Sequence, residues 1–540
     1  EEVPDLVAAR LAAPRRAARW KHRLTRAIDR FISGDATDLD DRAVPTDAPD
    51  ITAFEGPQVR IATEGFGQLN PLSIADYRHR DGFAALRRCR DLTGEQVIDQ
   101  LEAAGLRGRG GAGFPTARKW RTVRQTRAKH RYVICNADEG DPGAFMDRMI
   151  LESFPLRVIE GLLIAAYATG AQDAIFYIRH EYPLAVRRVR EAIRLCEAAG
   201  LNVVPDDDSP DTGRTVALHV HEGAAAFVCG EETALIASLE GERGTPRLRP
   251  PYPAESGLHG EPTLVQNVET LADVPWIIRN GAPAFSAMGT STSRGTKVFA
   301  LAGKVRRGGL IEVPMGVTIR QIVEQIGGGV EDGRRFKAVQ IGGPSGGCIP
   351  ASLADTPIDY ESLRDLGAIM GSGGLVVLDD SDCMVDIARY FLRFTQNESC
   401  GKCSPCRVGT RRMVEMLDRL ADGRGKSEDL DELESLAGVI GQSSLCGLGQ
   451  TAPTPVSTTL RYFRDEYEAH LREECPAGCC AALVRYDITD RCVGCGLCAR
   501  TCPVDAIPWT PYRRHVIDDA LCTRCDACRV ECPEQAIEKR

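Results

Sequence analysis

The chain has 540 residues, and on the usual size of folded domains that length corresponds to roughly three to five of them. Hydrophobic residues make up 43% of it, ample for packed cores, and a formal charge of −9 gives no reason to expect nucleic acid as a partner. No apolar run approaches the roughly 18 residues of a membrane span. The strongest candidate, Val158 to Ala168, is short and contains Glu160.

In chain order, residues 5 to 31 are rich in Ala and Arg, with Trp20, Leu24, Ile28 and Phe31 at helical spacing. A basic amphipathic start resembles a transit peptide, but Glu1, Glu2 and Asp5 argue against one, and a surface helix packing on a partner subunit is preferred. An acidic, Pro-containing linker is expected from Asp35 to Asp50. A small unit from Ile61 to about Arg90 leads into a helix opened by a capping box, Thr93-Gly-Glu-Gln96, with Val97, Leu101 and Ala104 on its apolar face. A glycine-rich stretch, Leu106 to Pro115, follows directly. Tyr132 to Cys135 is expected as a buried strand, Val216 to His221 as another, and Glu231 to Glu240 as a helix. This alternation predicts an α/β domain over about 91 to 290. Hairpin strands at Lys297 to Ala302 and Leu310 to Val313, a helix at Thr318 to Ile326 and a strand at Ala338 to Ile341 predict a smaller α+β unit. From Asp386 to Arg472 the pattern is helical, with Arg411 to Leu420 and Asp429 to Ile440 amphipathic.

Twelve of the 21 cysteines form three quartets. Cys492, Cys495, Cys498 and Cys502-Pro503 repeat as Cys522, Cys525, Cys528 and Cys532-Pro533, the doubled C-x₂-C-x₂-C-x₃-C-P run of two-cluster ferredoxins. In that pattern the fourth thiolate of each cubane comes from the other run. Cys492, Cys495, Cys498 and Cys532 are therefore expected to hold one [4Fe–4S] cluster, and Cys522, Cys525, Cys528 and Cys502 a second. A zinc ribbon needs four ligands rather than eight, and a disulfide scaffold is the other alternative. Cys400, Cys403, Cys406 and the remote Cys446 suit a third cubane, with zinc as the alternative. Thiolates that must stay reduced point to the cytoplasm.

Gly108, Gly110 and Gly113 match G-x-G-x-x-G, but a capped helix precedes them where a Rossmann turn needs a strand. What remains is a loop whose backbone, including Gly111, can approach a phosphate-bearing ligand, with Arg109, Lys119 and Trp120 adding charge and a flat surface. Asn136, Asp138, Glu139 and Asp141 follow a strand end, where ligands of α/β sheets gather.

With Arg107 to Thr116, Asn136 to Gly140, Gly230 to Thr233, Pro250 to Pro253, Asn267 to Thr270 and Glu398 to Cys403 in this order, the chain resembles the NADH-binding flavoprotein subunit of respiratory complex I and its soluble relatives over about residues 60 to 472. With the appended ferredoxin it looks most like the beta subunit of multimeric, often electron-bifurcating, [FeFe]-hydrogenases; related subunits serve NAD-dependent formate dehydrogenases. The resemblance implies an N-terminal helix and linker (1–55), a Rossmann-like FMN and NADH domain (56–290), a ubiquitin-like SLBB domain (291–385), a helical [4Fe–4S] bundle (386–472) and a terminal metal knuckle with a two-cluster ferredoxin domain (473–540). It implies FMN contacts at Gly108 to Gly113, Lys119, Asn136, Asp138, Glu139, Gly230, Glu231 and Asn267. Arg109, Asp141, Phe227, Gln266 and Thr270 join that set. Phe114, Glu232, Arg249 and Tyr252 sit where the family meets NADH, and Glu231 and Glu232 are the candidate catalytic pair. Ala117, Phe227, Gln266 and Arg249 depart from the family's usual Gly, Tyr, Asn and Lys.

The Cys475-Pro-Ala-Gly-Cys-Cys480 knuckle resembles one in the hydrogenase relatives that holds zinc or a similar mononuclear metal. Cys475 and Cys480 with His470 and His515 would give Cys₂His₂ chemistry suited to Zn²⁺; surface histidines and free thiols are the alternative. The implied activity is an NADH dehydrogenase (diaphorase): hydride exchange between NADH and FMN, then one-electron relay through the clusters, with electron bifurcation in some relatives. The implied partners are a thioredoxin-like [2Fe–2S] subunit, since residues 1 to 88 contain no cysteine, a catalytic hydrogenase or formate dehydrogenase subunit, and a soluble ferredoxin. A complex I subunit and a non-enzymatic electron-transfer scaffold are the competing readings.

Overall fold

The computed structural model describes residues 49–206 and 213–539. The basic helix expected over 5 to 31 lies outside the described residues, as does most of the acidic linker, whose last two residues instead open the helix Pro49–Glu55. The chain divides into two units, Glu1–Pro57 and Gln58–Arg540; the sheets, the bundle and the cysteine-rich domain all belong to the second.

A four-stranded parallel sheet forms from β1 (Tyr132–Ala137), β2 (Asp173–Arg179), β3 (Ala217–Gly223) and β4 (Thr263–Asn267), in the order β3-β2-β1-β4. Val133, Ile134 and Cys135 are all fully buried, as a parallel strand covered on both faces requires. The helix Gly94–Ala104 carries the anticipated capping box: Thr93 accepts from the Gln96 amide, and the Gln96 side chain accepts from the Thr93 amide. The apolar run around Val158 lies in helix Pro155–Thr169, buried at every position. There the Glu160 carboxylate accepts from Tyr77 Oη and from the amides of Phe83 and Leu86, which meets the cost of burying it. Gly161 lets this helix touch helix Val268–Asn280, since a Cβ would stand 1.9 Å from the Leu271 carbonyl oxygen.

The second sheet is mixed. Strands β5 (Thr296–Gly303), β6 (Gly309–Pro314), β7 (Phe336–Ile341), β8 (Gly347–Pro350) and β9 (Gly374–Asp379) run in the order β8-β7-β9-β5-β6. The helix expected from Thr318 is found over 319–326, its last six residues Gln321–Ile326 in π-helical turns, and Thr318 caps it, its Oγ1 accepting the Gln321 amide. Two buried acids fasten this sheet to its neighbours. Glu312 on β6 accepts from the amides of Ile61, Ala62 and Thr63, and Lys297 on β5 pairs with Glu269.

Helices Met384–Asn397, Thr410–Ala421, Ser427–Ser443, Thr454–Tyr462 and Arg464–Leu471 form the bundle around Leu392, Leu417, Leu433, Ile440 and Tyr467. In the last segment, β10 (Tyr486–Ile488) pairs antiparallel with β11 (Ile537–Lys539). That pairing returns the chain end to the first cysteine run. No helix among the described residues is long and apolar enough to cross a membrane.

Candidate functional site: a glycine cradle and four cysteine-lined centres

The strand order β3-β2-β1-β4 reverses direction between β1 and β4, and a ligand crevice opens outside the carboxyl ends of strands at such a switch point. Asn136 is the next-to-last residue of β1 and Asn267 ends β4, and the two are register partners. The glycine loop lies against this point. A Cβ on Gly110 would stand 3.2 Å from Asn267 Cβ, and one on Gly113 (φ 61°) would stand 2.7 Å from the Tyr360 ring. Gly111, at φ 115°, bridges to Gly371. The Gly108 carbonyl accepts from Tyr360 Oη at 2.7 Å, and the Arg107 guanidinium lies 4.2 Å over that ring. The loop is thus shaped by the second sheet's domain. Tyr360 and Gly371 carry no spacing signal by which the sequence could reveal them.

Beside the cradle, Asn136 donates through Nδ2 to the Gly230 carbonyl and accepts the Asp138 amide. Both carboxylate oxygens of Asp138 are buried and without a hydrogen-bond partner. Burial pushes this carboxyl up from 3.8 to about 7, only partly offset by Arg179, whose nearest nitrogen is 3.8 Å away. Glycines that a Cβ would crowd, and buried polar atoms awaiting partners, fit a bound flavin mononucleotide.

Several expected contacts turn out to serve the frame. Arg109 is fully buried: its guanidinium donates to the carbonyls of Thr296, Arg107 and Arg294, and its amide donates to Thr270 Oγ1. Arg109 and Thr270 therefore hold the loop from behind. Glu139 accepts the Asp147 and Arg148 amides at the start of helix Met146–Ser153. Asp141 accepts from Ser372 Oγ, so it faces the second sheet's loops. Asn267 caps its helix through the Thr270 amide and donates to Asp147. Gln266 is buried within β4, and Ala117 and Trp120 are buried too.

Glu231 does a capping task, its carboxylate accepting the Thr233 and Ala234 amides of helix Glu232–Leu239. Glu232 is different. Although burial opposes ionisation, Lys119 Nζ at 2.8 Å and Arg249 Nη1 at 3.0 Å hold its carboxyl below the usual range. Lys119 also donates to the Val265 carbonyl. Phe114 (45% exposed) and Tyr252 (51%) stand open to solvent on this side.

The three cysteine quartets each line one cavity. Cys400, Cys403, Cys406 and Cys446 surround one together with Val228 and Pro246. Cys492, Cys495, Cys498 and Cys532 surround a second, and Cys502, Cys522, Cys525 and Cys528 a third. The crossed pairing of the two runs has a near-symmetric signature. The Ala506 amide donates to Cys502 Sγ and the Ala536 amide to Cys532 Sγ, both at 3.3 Å. Cavities each walled by four thiols, with apolar side chains among the remaining lining residues, fit cubane clusters.

A fourth set differs from expectation. His470 Nε2 lies 3.3 Å from both Cys383 Sγ and Cys480 Sγ, and with Cys475 these ligand atoms sit within 4.8 Å of one another. Cys383, whose lone position beside Met384 gave no spacing signal, takes the place expected for His515. His515 instead lines the Cys492 cavity, with Nδ1 3.7 Å from Cys492 Sγ. The Cys475–Cys480 knuckle returns to the bundle, whereas His515 is carried off by the first ferredoxin run. The set is Cys₃His, and Nδ1 of His470 is fixed by the Glu466 carbonyl at 2.7 Å, the outer contact common for metal-bound imidazoles.

Comparison with known proteins accords with this arrangement. Residues 101–276 match the Nuo51 FMN-binding domain, 298–349 the SLBB domain, 386–470 the NADH-ubiquinone oxidoreductase-F iron-sulfur binding region and 491–536 the 4Fe-4S dicluster domain. The NADP-reducing hydrogenase subunit HndC of Solidesulfovibrio fructosivorans is 51% identical over 466 residues, covering 86% of this chain and 94% of the relative. This chain belongs to the family of FMN-binding, iron–sulfur NADH dehydrogenase subunits. Another member, an F-type NADH-quinone oxidoreductase subunit of Rhizobium meliloti (strain 1021), is 44% identical over 405 residues, covering 75% of this chain and 96% of its own. An NAD⁺-reducing [NiFe]-hydrogenase in the H₂-reduced state superposes with a TM-score of 0.68 at 36% identity, over 84% of this chain and 72% of that one. As a dehydrogenase subunit of this family, the chain is an oxidoreductase flavoprotein. The NADH dehydrogenase frame explains why Arg109, Glu139 and Glu231 sit in signature motifs while turned to structural tasks: the cradle needs its loops held as much as it needs contacts.

Proposed function

We propose that this subunit exchanges hydride between NAD(H) and FMN and relays the electrons singly through three [4Fe–4S] clusters to partner subunits. The observation that carries the proposal is one shared loop. Val228 lines the Cys400 cavity, Gly230 abuts Asp138 beside the glycine cradle, and Glu232 begins the next helix. Glu398 accepts the Phe227 amide and Arg243 donates to the Cys400 carbonyl, so bundle and cradle are tied at that loop. Bound FMN supplies the conversion between hydride and single-electron chemistry. The chain's own side chains hold the cofactors. Gly108, Gly110, Gly111 and Gly113 give the backbone close approach, and Asn136 and Asp138 offer polar atoms at the switch point. Phe114 and Tyr252 flank the open side, where Glu232 presents a carboxylate held ionised by Lys119 and Arg249.

The partners in this reading are a [2Fe–2S] subunit, a catalytic hydrogenase or formate dehydrogenase subunit, and a ferredoxin-type carrier. With that carrier as second acceptor the electron pair is divided, as in flavin-based bifurcation; the terminal two-cluster domain, an outlet beyond the Cys400 centre, supports this. Cys383, His470, Cys475 and Cys480 are assigned to one Zn²⁺, a closed four-ligand structural site. The test is anaerobic reconstitution. Material with FMN, about 12 iron atoms per chain and NADH-driven viologen reduction upholds the reading; flavin-free material without that activity returns the chain to a scaffold.

A further inference from the structure

The two cysteine runs of the terminal domain are built alike but are not covered alike. Moving out from the knuckle, Arg524 beside Cys525 donates to the Val484 carbonyl, Tyr486 lines the Cys522 cavity, and Ile488, two residues on, lines the Cys492 cavity. The Cys522 centre therefore lies nearer the bundle along β10, and the Cys492 centre farther out. Over that outer centre folds the segment Pro508 to Val516. The Tyr512 amide donates to the Gly494 carbonyl, and a Cβ on Gly494 would stand 2.5 Å from the Arg513 amide nitrogen. A Cβ on Gly496 would stand 2.5 Å from Trp509 Nε1. The segment thus presses two aromatic residues onto the glycines on either side of Cys495, itself exposed.

Those aromatics gain little from their neighbours: Trp509 is 68% exposed and Tyr512 is 94% exposed, with Val493 and Val516 open beside them. Around them stand Arg491, Arg500, Arg513 and Arg514, and residues 491–501 and 508–516 contain no Asp or Glu. Arg491 is paired with Glu538 and Arg514 with Asp490. Arg500 and Arg513 have no carboxylate partner among the described residues, and Asp505 is the one acid in the cleft that Arg500 and Trp509 line beside Cys495. The inner run lacks this asymmetry, since Arg529 is paired with Asp526 of its own run. On a chain of net charge −9, a basic, aromatic patch over an exposed cluster ligand is a local exception.

We propose that the Trp509–Tyr512 face, flanked by Arg500 and Arg513, is the docking surface for a small acidic ferredoxin-type carrier. The proposal rests on the relay reading above. A small aromatic centre with a charged rim suits a transient complex, in which rim charges set encounter rate and salt dependence. One electron crosses between the centre beneath Cys495 and the carrier's own cluster; no bond is made or broken and no proton moves. NADH supplies the electrons when the carrier is the acceptor, and the carrier is oxidised when flow reverses.

The experiment uses the intact native complex and an acidic bacterial two-cluster ferredoxin as probe, with basic cytochrome c as the control carrier. Binding is measured by calorimetry across ionic strength, beside NADH–viologen rates and cluster EPR spectra. Arg500→Glu with Arg513→Glu should weaken ferredoxin binding about tenfold and flatten its salt dependence, leaving viologen rates and EPR signals unchanged. Trp509→Ala should weaken binding with charge intact. Unaltered ferredoxin affinity in both variants overturns the proposal. So does loss of partner subunits from the double variant on gel filtration, which would make this face a permanent subunit contact. A wild-type complex without NADH–viologen activity would instead sink the relay reading itself.

Discussion

Replacing Asp138 with asparagine tests the flavin cradle through a property that a surface carboxylate would not have. In the folded chain without flavin, burial raises this carboxyl to about 7, while unfolded it ionises near 3.8. Below 3.8 both forms hold the proton and nothing is lost. Between the two values only the unfolded chain releases it, so stability falls as pH rises, by about 1.4 kcal/mol per pH unit. The loss reaches about 4 kcal/mol at pH 7 and stays there above it. An asparagine side chain titrates nowhere in this range, so the Asp138→Asn variant should gain on the wild type by about 3 kcal/mol between pH 5 and pH 8. If residues 58–540 melt as one unit, that is a Tm gap growing by about 3 °C; if the parallel-sheet domain melts alone, about 7 °C. The assay is thermal unfolding of flavin-free protein at both pH values, with FMN retention measured in parallel. FMN retention should drop as stability rises, because a site residue left without hydrogen-bond partners trades stability for binding. A Tm difference that is the same at pH 5 and pH 8 would refute the claim that the carboxylate is buried without hydrogen-bond partners.

Three further outcomes follow from the site. Glu232→Gln removes the charge that Lys119 and Arg249 share, and should raise KM for NADH about tenfold with FMN content unchanged; steady-state viologen reduction checks it, and an unchanged KM removes Glu232 from the nucleotide site. Cys400→Ser should leave the flavin bleachable by NADH near 450 nm yet keep electrons from the terminal domain, seen as unreduced cluster signals in EPR; normal reduction of those clusters discards the relay order. His470→Ala should lose one equivalent of zinc by atomic emission while His515→Ala keeps it, and the reverse pattern would favour the Cys₂His₂ set with His515 as a ligand.

What the sequence discloses and what it hides divide along one physical line. Features written as local spacing were legible: the capping box at Thr93, the doubled cysteine runs whose fourth thiols cross into each other's cavities, and the failure of the Rossmann strand–loop–helix context before Gly108, where the helix Gly94–Ala104 indeed stands. Features made by two distant segments meeting were not. Cys383 reaches His470 only because the bundle's first and last helices pack together, and Tyr360 reaches Gly108 across 252 residues. A signature motif also mixes residues that touch a ligand with residues that hold the motif in place, and one sequence cannot separate them. Arg109 illustrates this. A cation beside a phosphate-type glycine loop invites assignment to the phosphate, yet it is spent on three backbone carbonyls, with Asp273 nearby, and is closed off from solvent. The loop has few side chains of its own, so its shape must come from outside it. Arg109 and Thr270 hold it from behind, and Tyr360 and Gly371 hold it from the neighbouring domain. The second sheet is therefore part of the flavin site, and a change at Tyr360 should be felt first in how the chain holds FMN.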